Sequence, residues 1–102
     1  MGTTVQKKIP RIPSNRMDLR ADDLNEDEIV RVLDMGLCFN PKTKKWDGDW
    51  IETNDIEYFI NKDGILSLPL GDIYSINMTK AGLTSLHNMP INVKSDFIIS
   101  DN

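Results

Sequence analysis

The chain of 102 residues contains a single cysteine, Cys38, and therefore cannot form an internal disulfide. The apolar neighbours Leu37 and Phe39 predict that its thiol is buried. No apolar run approaches the roughly 20 residues that a membrane helix requires, and the N-terminus lacks the apolar core of a signal peptide. We therefore expect a protein of a reducing cytoplasm that does not associate with membranes.

The sequence also lacks the motifs that mark common kinds of catalytic site. It has no phosphate-binding loop, no serine nucleophile elbow, no zinc-ligand spacing and no dinucleotide fingerprint. The one thiol–imidazole combination, Cys38 and His87, is expected to be split between an apolar strand and an exposed turn. Asp47 and Asp49 lack the glycine and glutamate that a calcium loop needs. We therefore predict no catalytic residue, no cofactor and no metal.

The net charge is small and negative, because 16 acidic and 12 basic residues give −4. An acidic protein of this kind binds nucleic acid poorly. The 39% of apolar and 27% of charged residues are typical of a globular protein, and the length suits one domain. The composition thus predicts one small domain and makes nucleic acid a poor ligand.

Residues 1 to 17 carry only basic charge, including Lys7, Lys8 and Arg11, and two prolines interrupt any regular structure there. The sequence predicts a basic flexible arm followed by a single domain over residues 18 to 102. The arm is either solvated or lies along a partner or along its own sheet.

A short helix is predicted over residues 26 to 35. Asn25 is a suitable N-cap, and Glu28 completes a variant of the capping box three residues later. The helix has an apolar stripe for the core, made by Ile29, Val32 and Leu33.

Acidic residues cluster around the start of this helix, among them Asp23, Glu26 and Asp27. Carboxylates in a first turn favour the positive end of the helix dipole, and this accounts for most of the cluster. The alternative is an acidic face that meets a basic partner.

A β-hairpin is predicted over residues 37 to 60, with a lysine-rich turn after Asn40-Pro41. The return strand contains Trp46 and Trp50, and a β-prone run with Tyr58 follows. We expect both tryptophans in the core, since the protein is small. The alternative is a recognition patch in which Trp46, Trp50 and Tyr58 act as anchors.

The last third of the chain contains two related segments. The clearer one reads Leu-Thr-Ser-Leu-x3-Pro-x2-Val-x2-Asp-Phe-x2-Ser-x-Asn over residues 83 to 102, and a looser copy begins at Ile65. The clearer segment resembles a leucine-rich-like repeat common in tailed-bacteriophage proteins and some bacterial ones. The resemblance implies a curved stack of short strands and action inside an infected bacterium.

The predicted fold is therefore α+β, with a short N-terminal helix, a β-hairpin and a truncated leucine-rich-repeat-like stack of short strands over residues 65 to 102. In such a stack Leu68, Leu86 and Phe97 would share one apolar column. Phe97 to Ile99 would lie at an open strand edge, which folded proteins normally cover or charge.

These patterns favour a non-enzymatic protein-interaction module. The leading hypothesis is a phage-encoded binder that acts in the host cytoplasm and occludes a bacterial protein, such as a defence or transcription factor. One alternative is a structural or assembly subunit that forms homo-oligomers through the strand edge at Phe97 and Ile99. Another is a nucleic-acid accessory protein that uses the basic arm.

Overall fold

The computed structural model describes residues 11 to 102, so the predicted arm residues Lys7 and Lys8 lie outside the described part. The described elements are two 3₁₀ turns at Ala21–Asp23 and Glu57–Phe59, helices α1 (Glu26–Asp34) and α2 (Thr53–Ile56), and strands β1 (Cys38–Asn40), β2 (Lys45–Glu52), β3 (Leu70–Asn77), β4 (Asn92–Val93) and β5 (Phe97–Ile98). The five strands form one mixed sheet. The predicted α+β class is confirmed.

The sheet begins as an antiparallel hairpin and continues with parallel strands. β1 pairs with β2 across the turn at residues 41–44, and β2 then pairs in parallel with β3. β4 and β5 both lie parallel to β3 on its other side, where Ile73 pairs with Val93 and Ile76 with Phe97. The chain from β2 onward therefore makes successive windings, each of which adds a strand to the same sheet.

The predicted apolar column does not form. Leu68 is fully buried, whereas Leu86 is 63% exposed and Phe97 is 47% exposed. Leu68 lies in the winding that leads into β3, and the following winding covers it. Leu86 and Phe97 lie in that following winding, and no later winding covers them among the described residues. The windings place strands side by side, but the arrangement does not establish a leucine-rich-repeat stack.

The predicted hairpin is too long. In the structure the hairpin ends at Glu52, and the chain continues as helix α2 and the 3₁₀ turn at Glu57–Phe59. Ile56, Phe59 and Ile60 are fully buried. Their i, i+3, i+4 spacing is that of a helix rather than a strand, and a parallel neighbour for β2 requires a crossover at this point.

The segment from Arg11 to residue 17 packs on the domain, which moves the predicted boundary of the arm toward the N-terminus. Ile12 is buried, and its N–H donates to the Tyr58 carbonyl at 2.9 Å. Arg16 binds Glu28 through both terminal nitrogens, at 2.5 and 3.0 Å. Burial of an isoleucine and a paired guanidinium holds this part of the predicted arm in place.

Helix α1 has the predicted caps, because the Asn25 side chain accepts from the Glu28 N–H and the Glu28 carboxylate accepts from the Asn25 N–H. Its predicted core stripe is only partly correct: Val32 is buried, whereas Ile29 and Leu33 are exposed. Glu28 takes their place in the interior because Arg16 and the Tyr58 hydroxyl bind its carboxylate. The bonds to the Glu28 carboxylate therefore account for the face that α1 turns toward the interior.

Cys38 is exposed rather than buried as predicted. Successive side chains of a strand point to opposite faces, so the burial of Leu37 turns Cys38 outward. Within the described residues no helix is long and apolar enough to cross a membrane.

Candidate functional site

The two tryptophans of β2 point to opposite faces of the sheet. Trp46 is 3% exposed, packs edge-on against Phe39, and donates from Nε1 to the Leu19 carbonyl at 2.9 Å. This confirms the predicted core position of Trp46 and removes it as a partner anchor. Trp50 is 61% exposed, so its predicted core position is wrong.

A register irregularity lies between the two tryptophans. Residues four apart in a regular strand share a face. The pairing of β2 with β3 shifts between Trp46 and Gly48, because the two steps from Trp46 to Gly48 lie opposite three steps of β3, from Leu70 to Ile73. After this shift Ile51 points inward and Trp50 outward.

Trp50 lies beside Tyr74 of β3 on the outer face of the sheet. Their ring centroids are 6.1 Å apart with planes inclined by 43°, and Tyr74 is also exposed. Large aromatic side chains that keep both faces partly open are typical anchors at protein interfaces. We call Trp50 and Tyr74 the aromatic pair.

A row of polar side chains crosses four strands on the same sheet. Asn40 donates to the Asp47 carboxylate at 3.4 Å, and Asp47 accepts from the Asp72 N–H at 2.9 Å. Asp72 in turn accepts from the Asn92 side chain at 2.9 Å. This row of bonds runs from β1 to β4 and orients the carboxylates of Asp47 and Asp72.

The polar row forms part of a groove of about 710 Å³. Its walls include Cys38, Asp47, Asp49, Asp72, Tyr74 and Lys94. Three carboxylates face one ammonium group, so the groove attracts cationic groups. Within residues 11 to 102 no cluster of histidine, cysteine or carboxylate side chains is arranged to hold a metal ion.

Tyr58, a predicted anchor, is bound within the domain. Its hydroxyl donates to Glu28 Oε2 at 2.9 Å, and the Arg31 guanidinium lies 4.4 Å from its ring centroid. Burial and the bond to Glu28 raise the pKa of Tyr58. Tyr58 therefore fixes the position of α1, and these contacts occupy its polar group.

The buried carboxylate of Glu28 is the centre of this network. Burial acts to raise the pKa of Glu28, but the bonds from Arg16, the Asn25 N–H and Tyr58 outweigh it and hold that pKa below its ordinary value. The bond with Glu28 also raises the pKa of Arg16. Four groups from three separate segments meet here, and their role is structural.

The other predicted partner residues are spread over the surface. Asp23, Glu26 and Asp27 are exposed at the start of α1, and Asp23 accepts from the Arg20 N–H at 2.8 Å. Arg11 is exposed and makes a long bond of 3.4 Å to the Ala81 carbonyl. Phe97 is exposed at the sheet edge, and Ile99 is half-buried against the core. These residues do not join the aromatic pair in one patch.

His87 and Cys38 have different surroundings. His87 Nε2 lies 3.1 Å from Asp18 Oδ1, and Asn88 donates to the same oxygen at 2.8 Å. The bond from Asn88, with a smaller contribution from His87, lowers the pKa of Asp18. Cys38 instead lines the groove.

Sequence reasoning did not identify Asp72 and Tyr74 as site residues, although a signal was present. In the run Asp72-Ile73-Tyr74-Ser75-Ile76, Asp72 and Tyr74 are two apart, which places them on one face of a strand. The residues that alternate with them, Ile73 and Ser75, are buried.

The likeness of residues 83 to 102 to a phage-type repeat rests on their sequence alone. Comparisons of the chain with protein-family models, with curated proteins and with solved structures found no match.

Proposed function

We propose that this protein is a non-enzymatic interaction module whose outer sheet face binds a basic segment of another protein. The observation that carries the proposal is the exposed aromatic pair beside a groove with three carboxylates. Trp50 and Tyr74 supply apolar contact area that is already ordered by the sheet, so little side-chain entropy is lost on binding.

Charge supports a basic partner. Asp47, Asp49 and Asp72 outnumber Lys94 in the groove, and the chain as a whole carries −4. Such a surface steers cationic segments toward itself and disfavours anionic ones. A lysine or arginine of the partner fits over the ring of Tyr74, which lines the groove together with the carboxylates.

The likeness of residues 83 to 102 to a phage-type repeat favours a more specific setting. In that setting the protein is phage-encoded, acts in the cytoplasm of the host bacterium, and binds and occludes a host protein. A defence or transcription factor with a basic surface is the kind of target that fits the acidic groove. Blocking such a surface requires binding and no reaction.

Replacing Trp50 by alanine is expected to weaken partner binding by about 30-fold, because interface tryptophans contribute about 2 kcal/mol or more. The measurement is a pull-down from bacterial lysate with quantitative mass spectrometry, followed by an affinity measurement on the captured protein. Leu33→Ala is the matched control, since Leu33 is an equally exposed apolar residue on α1.

The dependence of the same affinity on salt concentration is a second test. Binding should weaken as ionic strength rises, because exposed carboxylates such as Asp49 are screened by salt. A captured protein whose affinity is the same for the wild type and for Trp50→Ala would rule out the outer face as the binding surface.

A further inference from the structure

Two carboxylates of the groove are held in defined orientations by hydrogen bonds. Asp47 accepts from the Asp72 N–H at 2.9 Å and from the Asn40 amide at 3.4 Å, so both of its oxygens are engaged. Asp72 accepts from the Asn92 amide through Oδ1 at 2.9 Å. Within the part of the chain that the structure describes, this is the one hydrogen bond of the Asp72 carboxylate, which leaves Oδ2 available to a ligand.

The absence of a side chain at Gly71 of β3 makes this arrangement possible. A Cβ at Gly71 would collide with Asp47 Oδ1 and would lie 3.2 Å from the Lys45 Cβ. Because the position is bare, the Asp47 carboxylate can lie across β3 and accept from the Asp72 N–H. The acceptors of the groove are therefore oriented before any ligand arrives, which lowers the entropy cost of binding.

An exposed aromatic ring lies next to the Asp72 carboxylate. Asp72 and Tyr74 are two residues apart in β3, both are exposed, and both line the groove. Side chains two apart in a strand share a face and are separated by about 7 Å. A planar cation that is stacked on the Tyr74 ring is therefore within reach of the Asp72 carboxylate.

We propose that the basic group selected by this groove is the guanidinium of an arginine, which stacks on Tyr74 and donates two parallel hydrogen bonds to the Asp72 carboxylate. The choice of arginine rests on the proposed function, since it names the group that the acidic face binds. Asp72 Oδ1 can accept a second bond beside the one from Asn92, because a carboxylate oxygen has two lone pairs.

The shape of the cation distinguishes arginine from lysine. A guanidinium is flat, stacks on aromatic rings and presents its N–H groups in a fixed fork that matches a carboxylate. A lysine ammonium is a compact and strongly hydrated point charge, so it gains little from a carboxylate of fixed orientation. An oriented carboxylate beside an exposed ring therefore favours the guanidinium.

The remaining walls of the groove suit the same side chain. Asp47 and Asp49 add negative charge that exceeds the single positive charge of Lys94. Val93 is a half-buried apolar residue of the same groove, and the methylene groups of an arginine can pack on it.

Peptides of equal length and equal charge test this selection on the full chain. One contains glycine and arginine, another has lysine in place of each arginine, and a third has dimethylated arginine, which keeps the charge but blocks paired N–H donation. Binding is measured by the fluorescence anisotropy of a label on the peptide. The arginine peptide should bind at least about tenfold more tightly than the other two, because paired charge-assisted hydrogen bonds add to the attraction between charges.

Variants of the groove test which residues make the selection. Asp72→Asn and Tyr74→Leu should each bring the affinities for the arginine and lysine peptides close together. Asp27→Asn is the matched control, since it removes the same charge from an exposed position on α1 and should leave the ratio of the two affinities unchanged. Far-UV circular dichroism checks that each variant remains folded.

Equal affinity of the wild type for the arginine and lysine peptides would overturn the selection of arginine and leave the proposed binding of basic segments in place. Failure of the wild type to bind either peptide up to about 1 mM would overturn both. A preference for arginine that survives both Asp72→Asn and Tyr74→Leu would show that this pair does not select the guanidinium, and it would also overturn the proposal.

Discussion

Replacing Arg16 by methionine is expected to lower the free energy of unfolding by about 3 kcal/mol, because it leaves a buried carboxylate without its cation. Glu28 is almost fully buried, and Arg16 contributes both of its terminal nitrogens to it. Methionine preserves much of the aliphatic volume, so the loss reports the charge rather than the packing. Urea unfolding followed by circular dichroism measures it.

Arg20→Met is the matched control, since Arg20 is exposed and lies outside the Glu28 network. It should change the free energy of unfolding by less than about 0.5 kcal/mol. Equal effects of the two substitutions would contradict the network described around Glu28.

The same network predicts a pH dependence. The folded-state pKa of Glu28 is lower than its ordinary value of 4.5, so its contribution to stability is present above that value and is lost as the pH falls through the folded-state pKa. The difference in unfolding free energy between the wild type and Arg16→Met should therefore be largest at neutral pH and should shrink in acid. A difference that grows in acid would contradict the assigned direction.

Replacing Gly64 by alanine is also expected to cost about 3 kcal/mol of stability. Gly64 has a φ of +79°, which alone disfavours alanine by about 1 kcal/mol or more. A Cβ here would lie 2.5 Å from the Gly82 carbonyl oxygen and 2.8 Å from the Thr84 nitrogen, so backbone atoms would have to move. The Thr84 N–H also donates to the Gly64 carbonyl at 2.9 Å, so that movement would disturb the contact between successive windings.

Gly36→Ala separates the two causes. Gly36 has a similar φ of +75°, but a Cβ there would meet no atom within 4 Å. It should cost only about 1 kcal/mol, measured by the same urea unfolding. If the two variants were equally stable, the close packing of the last two windings would be wrong.

Features set by neighbouring residues could be predicted from the sequence. The caps of α1 depend on Asn25 and Glu28, which are three residues apart, and they form as expected. The turn after Asn40 forms as well, with the Asn40 side chain accepting from the Lys42 N–H. Size in a small protein predicts an interior position for both tryptophans, and this holds for Trp46 but not for Trp50.

Features set by distant contacts could not be predicted. The rotation of α1 depends on Arg16 and Tyr58, which approach Glu28 from different parts of the chain. The outward position of Trp50 follows a break in the alternation of β2, at the point where its pairing with β3 shifts because β3 has one extra residue between Leu70 and Ile73. A strand pattern read by itself gives the period of the side chains but not the place where that period shifts.

The candidate site also depends on contacts between distant residues. The sequence favours an interior position for its anchor Trp50, with a surface patch as the alternative, and it places the second aromatic residue, Tyr74, in a repeat-like segment. The acidic groove needs Asp47 and Asp72 side by side, and only the parallel pairing of β2 with β3 brings these residues together. Spatial proximity, rather than any local motif, makes this surface.

The most direct test of the proposed binding face uses an array of random immobilised peptides, incubated with labelled wild type, Trp50→Ala, Asp49→Asn and Leu33→Ala. Retention of the wild type on peptides rich in lysine and arginine is the expected result, with at least about tenfold less retention of Trp50→Ala, a smaller and salt-sensitive loss for Asp49→Asn, and no change for Leu33→Ala. Preference for acidic peptides, or equal retention of the wild type and Trp50→Ala, would contradict an acidic, aromatic recognition surface on this sheet.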